Sequence, residues 1–200
     1  MITIVDYGAG NIRSVEKAFQ YIGVDAEVTS NADKIAAAER LVLPGVGAFA
    51  DAMYRLQSKG LVPVLEDYAA SGRPMLGICL GMQLMFDYSE EGEAHGLSFV
   101  PGRIHAIPQD EGIKVPQIGW NNLEVSPTSR LLKGVPDNSY FYFVHSYCLD
   151  AVDKEIVTGC VQHGITIEAS FEKDNLFGTQ FHPEKSSDAG LIILKNFASI

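Results

Sequence analysis

The sequence is short of positive charge. Against 25 Asp+Glu it carries 15 Lys+Arg, a formal net charge of −10 over 200 residues. Binding along a phosphate backbone needs a cationic footprint, so nucleic acid is not an expected partner. The same deficit argues against an anionic membrane surface. Cysteine is scarce: Cys79, Cys148 and Cys160 are an odd number at wide spacing, which fits neither a disulfide framework nor a CxxC zinc pair. Reduced thiols in a cytoplasmic protein are the expectation. No apolar run approaches the roughly 18 residues of a membrane span. Met1–Asp6 lacks a basic segment and meets an acid early, so it does not read as a secretory signal. None of the five histidines stands in metal-ligand spacing with Cys or carboxylates, so no metal site is expected.

What is present describes an ordinary globular chain, 46% hydrophobic and 20% charged. Its length suits a single domain, residues 1–200, with a core that needs no staples. The first half alternates strands and helices. Ile2–Val5 is a short apolar run. Ile12, Val15, Phe19 and Ile22 then recur at helical spacing, with Asn11 as the expected cap and Gly23 as the stop. Leu41–Leu43 and Met75–Ile78 read as buried strands. Helices are expected with Phe49, Met53 and Leu56 on one face and Gly60 after the end, over Leu61–Ala70 and over Leu80–Phe86. This alternation implies a mixed, mainly parallel central sheet with flanking helices. From about residue 97 short β-rich runs dominate, an antiparallel extension closed by a helix at about Asp188–Ala198.

The sharpest local feature is Gly77-Ile78-Cys79-Leu80-Gly81, which ends a strand and opens a helix. It has the layout of a nucleophile elbow with cysteine in the serine position. The glycines permit a tight turn that lifts the thiol out of the sheet. Backbone N–H groups beyond it favour a thiolate and an oxyanion. A lone cysteine is more often an inert core residue; the two glycines and the strand-to-helix setting are what shift this reading. A nucleophile needs a base, and the base an orienter. His182-Pro183-Glu184 supplies both, since residues two apart in extended chain point the same way. Proline fits poorly inside a strand, so the pair is expected at a strand's terminal edge. His145 competes as base but lacks an acid two residues away. Pro44-Gly45-Val46-Gly47 follows a strand and suits either an oxyanion segment or a plain turn.

Gly77-Ile78-Cys79-Leu80-Gly81-Met82-Gln83 and His182-Pro183-Glu184-Lys185 resemble the two signature motifs of class I (triad) glutamine amidotransferases. Asp6-Tyr7-Gly8-Ala9-Gly10-Asn11, Gly119-Trp120-Asn121 and Tyr142–Tyr147 narrow the resemblance to the glutaminase subunits of imidazole glycerol phosphate synthases, which serve histidine biosynthesis. It extends over residues 2 to about 197. The resemblance implies that Cys79 attacks the glutamine side-chain amide, His182 moves the proton and Glu184 orients His182. It places the oxyanion hole at Leu80 and the Gly45-Val46-Gly47 segment. Gln83, Glu91, Ser146 and Tyr147 match glutamine-binding positions. Asn11, Trp120, Tyr142 and Lys185 match positions facing a partner, a (β/α)8-barrel cyclase, with which the chain would form a heterodimer. Ser14 departs from the family pattern, where asparagine can occur, and leaves one interface contact open. The resemblance also implies near-idle activity without the partner's ligand, with a flip of the Pro44–Gly47 backbone as the switch. No cofactor is implied.

Chemistry supports a partner independently. Ammonia is mostly protonated at neutral pH and must reach an acceptor site without meeting bulk water, so that site is expected on a second chain. A sister glutaminase, of anthranilate or aminodeoxychorismate synthesis, is the nearest alternative. A free-standing cysteine γ-glutamyl hydrolase needs no partner. A non-catalytic module would normally have lost one of Cys79, His182 or Glu184.

Overall fold

The computed structural model describes residues 1–110, 112–136 and 138–200. The opening run is β1 (Ile2–Val5), buried along its whole length. α1 (Ile12–Tyr21) follows and buries Ile12, Val15, Ala18 and Phe19, the face that the spacing predicts. β2 (Ala26–Thr29), α2 (Ala32–Ala36), β3 (Arg40–Gly45), α3 (Phe49–Ser58), α4 (Val62–Ala70) and β4 (Met75–Cys79) complete the alternating half. β2 and α2 carry little sequence signal: every residue of β2 is only half-buried, so no apolar run marks it.

Two expectations give way here. α5 (Leu80–Gln83) is a single turn rather than a helix through Phe86. Leu84, Met85 and Phe86 are all wholly buried, and a run that is apolar on every side fits a strand as well as a helix. Phe86 instead opens β5 (Phe86–Ser89), followed by β6 (Ala94–His95) and β7 (Val100–Ala106). Asn11, the expected cap of α1, adopts a left-handed conformation at φ 69° and makes no side-chain cap. The rest of the chain forms β8 (Gln117–Asn122), β9 (Glu124–Val125), β10 (Tyr140–His145), β11 (Tyr147–Ala151), β12 (Val157–Gln162), β13 (Thr166–Lys173), β14 (Leu176–Thr179) and α6 (Ser187–Ser199).

Among the described residues one sheet runs in the order β2-β1-β3-β4-β14-β13-β11-β7-β5-β6, with β12 and β9 branching from β13. Neighbours from β2 to β14 pair in parallel. Antiparallel pairing takes over at β13 and continues through β11 and β7. The architecture is therefore α/β with a mainly parallel block and an antiparallel extension. β8 and β10 form a separate antiparallel pair. Successive residues of a strand face opposite sides, and β3 shows it. Leu41 and Leu43 join Phe49, Leu56, Leu65 and Tyr68 under α3 and α4. Val42 joins Leu76, Phe177, Phe19, Ile193 and Phe197 under α1 and α6. Each such side chain stabilises the fold by about 1.5–3 kcal/mol on full burial. With β1, β3, β4 and β14 covered on both faces, the rim at their C-terminal ends is the place where ligands of parallel sheets bind. No helix among the described residues is long and apolar enough to cross a membrane.

Candidate active site

Cys79 is the last residue of β4 and sits at φ 53°, ψ −112°. A side chain in that region is strained, and such strain persists only where the surroundings enforce it. Here they do. A Cβ on Gly81 would lie 1.8 Å from the Leu43 carbonyl oxygen, and one on Gly77 would lie 2.6 Å from Met82 Cα. The corner closes only with glycine on both sides, leaving the sulfur at the head of α5 with 6% of the residue exposed.

β14 runs parallel to β4, with Thr179 opposite Ile78. The chain continues from it in extended form to His182 (φ −100°, ψ 95°) and then tightens into a 3-10 turn over Pro183–Lys185. The strand itself ends at Thr179, so His182 and Glu184 meet through that turn and not along a strand edge as the sequence suggests. The outcome is close: His182 Nδ1 lies 2.8 Å from Glu184 Oε1, and both side chains are buried. Ser186 ties the turn down, its hydroxyl donating to the His182 carbonyl (2.6 Å) and accepting from Tyr142 N–H (3.0 Å). Asn11 Nδ2 donates to the same Glu184 oxygen at 2.5 Å. Its left-handed backbone turns it toward the carboxylate rather than toward the end of α1.

Burial alone would pull the His182 pKa down. Contact with Cys79 and with the Glu184 carboxylate outweighs it and pushes the pKa up to about 9. His182 Nε2 is buried and has no aligned hydrogen-bond partner among the described residues, so it is the ring nitrogen left free for proton transfer beside the sulfur. His145 is the opposite case. It is buried, and burial depresses its pKa to about 4. The neutral ring donates from Nδ1 to the Tyr147 carbonyl at 2.8 Å. Nε2 lies 2.9 Å from the Gln117 side-chain oxygen, while Gln117 Nε2 is buried without a partner. Turning the Gln117 amide end for end satisfies both groups. His145 then has no nitrogen free to act as a base.

Val46, Gly47, Cys79, Leu80, Gln83, Glu91, Tyr142, Ser146, Tyr147 and Lys185 line one cleft of about 430 Å³. Gly45 lies just beneath, opposite Cys79 in the β3–β4 ladder. Its identity answers to space: a Cβ there would lie 2.5 Å from the buried Tyr7 hydroxyl. Gly47, at φ 106°, is the position that needs backbone freedom. Glu91 accepts a hydrogen bond from Phe49 N–H at the start of α3 (2.9 Å), so part of its carboxylate is already used. The Gln83 amide nitrogen donates to the Tyr147 carbonyl (3.3 Å) and to Gln180 Oε1 (2.9 Å). Gln180, absent from the sequence-based candidates, donates in turn to Cys79 Sγ at 3.6 Å. Its position two residues before His182 in extended chain is the signal that could have found it.

Trp120 is 51% exposed on β8. It meets Tyr142 edge-on at 6.0 Å, and Lys185 Nζ lies 5.7 Å from the same Tyr142 ring. Exposed Ile118 and Tyr140 share this two-stranded surface. Asn11, Trp120, Tyr142 and Lys185 are thus joined, through Tyr142 and Glu184, to the His182 turn.

A strained cysteine beside a buried histidine–carboxylate pair at the edge of a cleft forms a constellation able to open an amide by acyl transfer. The chain belongs to the class-I glutamine amidotransferase family, whose model matches residues 3–199. At greater resolution, it is similar to proteins named imidazole glycerol phosphate synthase subunit HisH. The relative from Moorella thermoacetica is 49% identical over 200 residues, covering 100% of this chain and 94% of that protein. The one from Methanosarcina barkeri is 46% identical, covering 100% and 98%. Among solved structures, a glutamine amidotransferase superposes with TM-score 0.78 at 15% identity over the whole of both chains. The PurLQS structure from Thermotoga maritima gives 0.73 at 17%, covering 99% of this chain and 97% of that one. At such identities these two speak to the fold.

Proposed function

We propose that this chain works as one unit, the glutaminase subunit of an imidazole glycerol phosphate synthase. One observation carries the reading: the strained Cys79 beside an imidazole that Glu184 holds at 2.8 Å. Near-half identity to the HisH relatives along the full chain supports the choice of subunit. The Cys79 sulfur adds to the glutamine side-chain carbonyl, and the oxygen takes the negative charge. Backbone N–H groups of Leu80 and the Gly45–Gly47 segment hold that oxyanion; one such donor is worth about 3 kcal/mol of barrier. The C–N bond breaks as His182 gives its proton to the departing nitrogen, which leaves as ammonia. Water, deprotonated by His182, then opens the γ-glutamyl thioester and releases glutamate. Gln83, Glu91, Ser146 and Tyr147 hold the substrate in the cleft.

Ammonia freed here goes to a barrel cyclase docked on the face bearing Trp120, Tyr142, Lys185 and Asn11. Exposed aromatic anchors are typical of such contacts. The Pro44–Gly47 backbone acts as the gate, with Gly47 absorbing the rotation of the peptide. The test is co-purification with the cyclase, then glutamate release with and without its formimino ribonucleotide substrate. Binding and stimulated release are expected, with both rates abolished in Cys79→Ala. Absence of binding and of stimulation overturns the reading in favour of a free-standing cysteine hydrolase. Equal turnover with and without the cyclase overturns the gate.

A further inference from the structure

We propose that Gln180 is a catalytic residue that donates an N–H hydrogen bond to the Cys79 sulfur, and that Gln83 positions it through a buried amide relay. The proposal rests on the glutaminase reading of the cleft and adds to it a group that holds the nucleophile. Its polarity follows from one fixed point. The Tyr147 carbonyl can only accept, so the Gln83 group facing it at 3.3 Å must be the nitrogen. That same nitrogen meets Gln180 at 2.9 Å, so Gln180 must present its oxygen there. The other end of the Gln180 amide, its nitrogen, is then the group 3.6 Å from Cys79 Sγ. No amide in the chain Tyr147–Gln83–Gln180–Cys79 can be turned without placing two acceptors or two donors face to face.

The placement is not required for folding of the strand. The Gln180 backbone is held separately, its N–H donating to the Ala169 carbonyl at 2.8 Å. The side chain is nonetheless fully buried, and an amide buried beside a thiol is stabilised most when the sulfur is an anion able to accept strongly. A neutral donor suits this corner. It steadies the thiolate without a second cation competing with the His182 imidazolium. Gln83 Oε1 has no hydrogen bond among the described residues, while Gln83 lines the cleft. A bound substrate that engages Oε1 therefore tightens the same relay, linking occupancy of the cleft to the alignment of the sulfur.

The experiment reads thiolate formation directly. The pH profile of iodoacetamide alkylation, assigned to Cys79 by peptide mass, is compared for wild type, Gln180→Leu and Gln180→Glu in the full chain. Glutamine turnover is measured with the cyclase present. For Gln180→Leu the alkylation midpoint should rise by about one pH unit, about tenfold at fixed pH. Turnover kcat should fall by a similar factor while KM changes little. Gln180→Glu should shift the midpoint further, since a carboxylate opposes the thiolate. Gln83→Leu, which frees the Gln180 amide to turn, should move it in the same direction by less and serves where a Gln180 variant fails to fold. Alkylation profiles that coincide with wild type in folded variants overturn the relay. Failure of the wild-type complex to hydrolyse glutamine overturns the glutaminase reading instead, and the alkylation comparison still decides the relay.

Discussion

His182 and His145 belong to two segments that flank one cleft, and both rings are buried. Their charge states diverge because of what each nitrogen touches. His182 has a buried carboxylate on Nδ1 and a cysteine beside it, so its proton is retained up to about pH 9. His145 has carbonyl and amide dipoles on its two nitrogens and no carboxylate partner; burial then dominates and the ring stays neutral down to about pH 4. Electrostatic repulsion from the nearby His163 and His182 rings acts in the same direction. Burial by itself therefore says nothing about role. The partner on the second nitrogen decides whether a buried histidine is a base or a strut.

The most severe way to break this comparison is to remove each ring in turn. In the complex, His182→Asn should lower glutamine turnover by about 10⁴-fold, the scale for loss of a base from a nucleophile–base pair. His145→Gln should stay within about tenfold of wild type, because no nitrogen of His145 is free for the proton. Comparable losses in initial-rate assays would show that the neutral ring takes part. Next in size is the orienter. Glu184→Gln should slow turnover by about 10²–10⁴-fold through a misplaced ring, while Cys79 remains open to alkylation. Unchanged turnover would remove Glu184 from the catalytic group.

A smaller effect separates the two rings through stability. Between pH 6.5 and 4 the unfolded chain binds a proton at residue 145 before the folded chain does. Stability should therefore fall with acid, by about 3 kcal/mol once the pH is below 4, from the gap between 6.5 and about 4. His182 has the opposite sign: its folded pKa is raised, so its contribution is full below 6.5 and is lost as pH rises through about 9. Urea midpoints measured across pH should lose part of the acid slope in His145→Gln and part of the alkaline slope in His182→Asn. Parallel curves for wild type and both variants would contradict these assignments.

Much of this site was legible before any coordinates, and the parts that were not share a cause. Cys79 announced itself because its glycines lie two residues to either side, and Gly77 closing on Met82 is a contact within that same turn. His182 and Glu184 are two residues apart, so local spacing implied their pairing even though a 3-10 turn, not a strand end, makes it. β1 and α1 followed from apolar periodicity for the same reason. What escaped is non-local. Gln180 reaches Cys79 from 101 positions away, and Asn11 reaches Glu184 across 173. For Gln180 the one cue is its place two residues before His182 in extended chain, and no spacing along the chain pairs Asn11 with Glu184. β2, half-buried at the sheet edge, and the buried Leu84–Phe86 run were lost differently, because their burial leaves no clean period.

Asn11 offers the finest test of what separates the two histidines. Its Nδ2 and His182 Nδ1 share Glu184 Oε1, at 2.5 and 2.8 Å, while Glu184 Oε2 is buried without a partner. The carboxylate is thus fixed from one side only, and Asn11 is the group that fixes it from outside the His182 turn. Alanine there would add backbone strain at φ 69°; glycine would not, so Asn11→Gly removes the hydrogen bond without strain, and saturating cyclase keeps any change in docking out of kcat. Losing one donor to a buried carboxylate should let Glu184 rotate and lower kcat by about tenfold, about 1.4 kcal/mol, with KM little changed. The activity of His145→Gln should respond to Asn11→Gly by the same factor as wild type, since the two sites share no partner and their effects should add. A double variant in initial-rate assays that loses far more than the product of the singles would show that the struts around His145 and the grip on Glu184 form one network.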